Sequence, residues 1–113
     1  MTEKDISETD LIISYLCLTP IFDVGNIKAY KLIGIGNVTT SLFKFNSEWQ
    51  WLTILIDKII KDGYEVDIEE TYTLIRGSPK RIFYPTKIER TQIKATYKAV
   101  IELLRYINKK PND

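Results

Sequence analysis

Residues 64–85 alternate between apolar and polar side chains, and turn residues divide them into short segments. A period of two is typical of a strand with one buried face and one wet face. In the first segment the apolar positions are Tyr64, Val66 and Ile68. The acidic positions between and after them are Glu65, Asp67 and Glu69. The segments TYTLI and KRIFY follow, RGSP forms the turn between them, and Pro85 ends the run. The pattern predicts a meander of three antiparallel strands, which excludes a parallel sheet because no crossover helix joins the strands.

Three segments with helical periodicity surround this meander: SETDLIISYLCL, NSEWQWLTILIDKIIKDG and KIERTQIKATYKAVIELLRYIN. Ser7 and Ser47 are the predicted N-caps of the first two helices, and Gln50 completes a capping box with Ser47. Pro20 is predicted to end the first helix, and Gly63 to end the second in a left-handed conformation. The segment KAYKLIGIGN is compatible with a short N-terminal strand, and VTTSLFKF also has strand-like β-branched and aromatic content. We therefore predict a single α+β domain over residues 1–113, a small antiparallel sheet sandwiched by α-helices, with a frayed tail at 109–113.

The second and third helices each carry an apolar stripe at spacings of three and four residues. We expect Trp49 and Ile56 to lie buried on one helix, and Val100 and Leu104 on the other. Two residues turn a helix by about 200°, so Trp51 should point away from Trp49. The sequence therefore predicts a homo-oligomer in which Trp51 is a contact between subunits.

Histidine is absent from the 113 residues, and Cys17 is the one cysteine. The chain thus lacks the commonest general base and any thiolate cluster, and we predict no enzymatic activity, no metal site and no cofactor. Cys17 lies in an apolar run, which favours a buried, inert thiol. No stretch approaches about 20 apolar residues, and the first ten residues are acidic, so we expect a cytoplasmic protein without a membrane segment.

A net charge of +1 hides a strong segregation of charge along the chain. Residues 76–98 hold seven basic residues against Glu89 alone, and we call this segment the basic lobe. Arginine can hold a phosphate or a carboxylate with two parallel hydrogen bonds, and a tyrosine can stack on a base. The candidate ligand-binding residues are Arg76, Lys80, Arg81, Tyr84 and Arg90.

Other interpretations of the basic lobe stay open. It can be a protein contact, or a solvated surface that the acidic strand face neutralises across the sheet. Duplex nucleic acid is a poor partner because the domain as a whole is not basic. Asp67, Glu69 and Glu70 can be read as a carboxylate cluster for Mg²⁺ or for acid–base chemistry, but alternating carboxylates on a strand are most often solvated.

Residues 43–108 resemble a family of small proteins from phages and mobile elements. The segments that carry the resemblance are FNSEWQWL, the helix up to Gly63, and KATYKAV in the closing helix. They are similar to the phage ABA-sandwich domain, which is frequent in Bacteroides-type bacteria. The resemblance implies a helix–sheet–helix sandwich and a viral context in the cytoplasm of a host cell, and it supplies no catalytic residue.

Together, these observations predict a small, non-enzymatic binding protein of phage type. In a viral context it would antagonise a host defence, either by binding an anionic signal such as a nucleotide or by masking a defence protein. The alternative is a protein–protein interaction or assembly module with no small-molecule ligand.

Overall fold

The computed structural model describes residues 7–25, 27–69, 72–77, 81–83 and 91–109, and only the backbone at 81–83 and 109. Its contacts fall into two compact units, Met1–Phe43 and Lys44–Asp113. The second unit begins one residue after the start of the resemblance described above. That the whole chain is a single domain stays a prediction.

Helix α1 of the first unit spans Glu8–Tyr15. The predicted N-cap is confirmed, because the Ser7 Oγ accepts a hydrogen bond of 3.2 Å from the backbone N–H of Asp10. The predicted end is wrong: α1 stops at Tyr15, and Pro20 is instead the first residue of a strand. The helix ends earlier because Cys17 adopts a left-handed conformation, with a φ of 56°.

Three antiparallel strands follow in the order β1 (Pro20–Val24), β2 (Ile27–Leu32) and β3 (Gly36–Thr39), and a short 3-10 helix spans Thr40–Leu42. Strand β1 pairs with β2 through a register shift between Pro20 and Phe22. The sequence predicted weak strands in KAYKLIGIGN and VTTSLFKF. The structure has a complete sheet that also includes β1, and VTTSLFKF contributes only the end of β3 and the 3-10 helix. The buried residues of this sheet include Tyr30. Its ring packs edge-on against the ring of Phe43, with 6.1 Å between the ring centroids.

Helix α2 of the second unit spans Trp49–Lys61. The predicted capping box is wrong, because Glu48 occupies the N-cap position and no side chain caps the helix. The predicted C-terminus is confirmed: Gly63 has a φ of 103°, and the N–H of Tyr64 donates to the carbonyl of Ile59 at 3.2 Å. These are the features of a Schellman motif, which glycine favours because it has no Cβ to clash.

The predicted meander is confirmed as β4 (Glu65–Ile68), β5 (Thr73–Gly77) and β6 (Arg81–Phe83), paired antiparallel in that order. Helix α3 (Gln92–Lys109) contacts β5 and β6, and α2 contacts both β4 and α3. The described residues contain three α-helices and antiparallel sheets, which confirms the α+β class.

The core of the second unit is formed by the apolar stripes of α2 and α3. Ile56, Val100 and Leu104 are buried, as predicted. The tryptophans are exchanged relative to the prediction: Trp49 is 39% exposed and Trp51 is 7% exposed. Trp51 is buried because its ring packs edge-on against Phe45, with 5.2 Å between the ring centroids. Trp51 is therefore a core residue rather than a subunit contact.

Candidate functional site

Of the five candidate ligand-binding residues, Arg76 is the one whose side chain lies within the described part of the chain. It stands on β5 directly opposite Glu65 of β4. Its Nη2 lies 3.8 Å from the Oδ2 of Asp67, and both side chains are more than two-fifths exposed. A carboxylate of the neighbouring strand thus already offsets the Arg76 charge. This geometry matches the interpretation in which the acidic strand face neutralises part of the basic lobe.

The remaining members of the predicted site are less fully placed. Arg81 is the first residue of β6, and its backbone pairs with Gly77. Lys80, Tyr84 and Arg90 lie outside the described residues. Convergence of these side chains on one ligand therefore stays a prediction.

Asp67 and Glu69, two of the acidic positions of the strand face, take part in structural contacts. Asp67 is the partner of Arg76. The backbone N–H of Glu69 donates to the carbonyl of Tyr72 at 2.8 Å. The carbonyl of Glu69 accepts a hydrogen bond from the Gln92 Nε2 at 3.0 Å. Glu70 lies outside the described residues. Within the described ranges, no group of three histidine, cysteine or acidic side chains is arranged to hold a metal ion.

The solvent-facing side of α3 is basic at its start. Lys94 and Lys98 are both exposed and lie one turn apart, followed by exposed Glu102. This side of α3 is thus solvated at these three positions. Such a face is suited to long-range attraction of an anion but does not by itself form a pocket.

Tyr64 has an environment unlike that of an ordinary surface tyrosine. Burial is the main cause that raises the pKa of Tyr64 above its ordinary value of 10.0, and the neighbouring Tyr106 and Asp62 raise it further. The ring lies over Gly77, where an added Cβ would overlap it. Because its ring packs against the backbone of Gly77, Tyr64 acts as a packing residue in the second unit.

The thiol of Cys17 is exposed, which corrects the prediction of a buried cysteine. The apolar run around it suggested burial. However, Cys17 lies just beyond the end of α1, where the chain leaves the helix in a left-handed conformation and the side chain points to solvent.

The structure reveals a surface that the sequence did not predict, on one side of the sheet β1–β2–β3. The register pairs Phe22 with Ala29 and Val24 with Ile27, so these four side chains share one face, which we call the outer face. Phe22 is 49%, Val24 61% and Ile27 57% exposed. Three large apolar side chains thus lie together in solvent.

Part of the opposite face of the same sheet is buried. Tyr30 and Leu32 of β2 are only 4% and 2% exposed, and they alternate with the outer-face residues along the strand. A sheet with apolar residues on both faces is typical of a sheet that is covered on both sides. In PIFDV and IKAYKL, apolar residues stand at both odd and even positions. This pattern departs from apolar–polar alternation, and it therefore gave only a weak strand signal in the sequence.

Comparisons with known proteins identify no relative: no family model, no curated protein and no solved structure matches the chain. The resemblance to phage ABA-sandwich proteins therefore stays a prediction. Among the described residues, no helix has the length and apolar character needed to cross a membrane.

Proposed function

We propose that the chain is a protein–protein interaction and assembly module, with neither catalytic activity nor a small-molecule ligand. The observation that carries the proposal is the outer face, where Phe22, Val24 and Ile27 expose apolar surface on an ordered sheet. Contiguous apolar surface on a folded protein most often marks a contact with another macromolecule. Burying these side chains would stabilise a complex at roughly 25 cal/mol for each Å² removed from water, before the costs of association.

The electrostatics of the second unit support the same function over anion binding. Arg76, one of the predicted ligand-binding residues, stands opposite Glu65 in the strand register and is paired with Asp67. An anion would have to compete with Asp67 for the guanidinium. Binding of a nucleotide by the basic lobe remains the competing proposal, and the titration at the end of the Discussion tests it.

The resemblance adds a biological context to the proposed contact. A phage protein that antagonises host defence by masking a defence protein would act through a surface of this kind rather than through catalysis. This context rests on the similarity of residues 43–108 alone. The outer face lies outside that segment, so the two arguments are independent.

Native mass spectrometry of the purified chain, recorded over a series of protein concentrations, tests the proposed function. We expect species that contain more than one polypeptide and no bound small molecule. A monomer that carries a small molecule of defined mass would contradict the proposal, whereas a ligand-free monomer at every concentration would overturn self-assembly and leave a contact with a different protein.

A further inference from the structure

We draw no further inference here: the strongest candidate, the apolar surface patch that Phe22, Val24 and Ile27 form on the outer face of the β1–β2–β3 sheet, carries none because nothing in the structure shows what covers it.

Discussion

The hydroxyl groups of Thr73 and Thr96 lie 2.8 Å apart in the core, where both residues are fully buried. Thr96 lies on α3 and Thr73 on β5, so this hydrogen bond joins helix to sheet. The Thr96 hydroxyl also donates to the carbonyl of Gln92 at 2.8 Å. Because a hydroxyl has one hydrogen, Thr73 must be the donor in the pair.

This direction of donation predicts unequal costs for removing the two hydroxyls. Thr96→Val leaves the Thr73 hydroxyl buried without its acceptor, and we expect a loss of about 1–3 kcal/mol in the free energy of unfolding. Thr73→Val should cost less, because Thr96 still donates to Gln92. Urea unfolding measures both losses.

The double variant supplies the control for this prediction. With both hydroxyls replaced by apolar groups, no buried donor is left unsatisfied, so the double loss should be smaller than the sum of the single losses. Additive losses, or a larger loss for Thr73→Val than for Thr96→Val, would show that the assigned donor is wrong.

The packing of Tyr64 over Gly77 predicts a loss of stability at high pH. The folded chain holds the Tyr64 proton more tightly than the unfolded chain, because the pKa of Tyr64 is raised on folding. This contribution is fully present below the unfolded pKa of about 10 and is lost as the pH rises through the folded pKa. Unfolding free energies of the wild type and Tyr64→Phe, measured on both sides of this pKa, test the effect.

We expect Tyr64→Phe to lose stability less steeply above the unfolded pKa than the wild type. Tyr72→Phe is the matched control, since Tyr72 is exposed and its replacement should leave the slope as it is. Gly77→Ala should push the ring aside and cost about 1–3 kcal/mol by overpacking. Identical slopes for the wild type and Tyr64→Phe would contradict the linkage.

Cys17 lies at the position after the α1 C-cap where glycine is favoured. Its φ is 56°, and the N–H of Leu18 donates to the carbonyl of Ile13 at 3.0 Å, as in a Schellman motif. A residue with a Cβ is strained in this conformation. We expect Cys17→Gly to raise the free energy of unfolding by roughly 0.5–1 kcal/mol, the relief of strain less the added flexibility of the unfolded chain.

Cys17→Ala is the control for this substitution, because it removes the thiol but keeps the Cβ. It should give no such gain in thermal or urea unfolding. An equal gain for alanine and glycine would mean that the thiol, rather than the backbone, is the source of the effect.

Some features set by neighbouring residues could be predicted from the sequence, although the Ser47 capping box and the end of α1 at Pro20 were predicted wrongly. The Ser7 cap depends on residues within one turn, and so does the glycine that ends α2. The meander was predicted because each strand alternates along its own length. Trp49 and Trp51 were assigned to the wrong sides because the side of a helix that becomes buried depends on tertiary partners, here the Phe45 ring.

Features set by strand register or by distant partners could not be predicted. Strands β1 and β2 carry apolar residues at both odd and even positions, so no apolar–polar alternation marked them. The basic residues could be read from the sequence, but the pairing of Arg76 with Asp67 depends on how β4 aligns with β5. The Thr73–Thr96 hydrogen bond joins residues 23 positions apart, for which a local pattern holds no signal.

The final prediction concerns the basic lobe and separates assembly from anion binding. If the proposed function is correct, calorimetric titration with mono-, di- and cyclic nucleotides at two salt concentrations should give no heat of binding. On the competing proposal a phosphate ligand binds, and Arg81 and Arg90 hold it by paired hydrogen bonds that lysine cannot form. Replacing both arginines by lysine should then weaken specific binding at least about tenfold, or roughly 1.4 kcal/mol, at constant charge.

Arg76→Lys is the matched control, because Arg76 is already paired with Asp67 and should contribute little. Heat that falls with salt but is unchanged in the double-lysine variant would indicate non-specific attraction, whereas heat lost in that variant alone would overturn the proposal of a module without a small-molecule ligand.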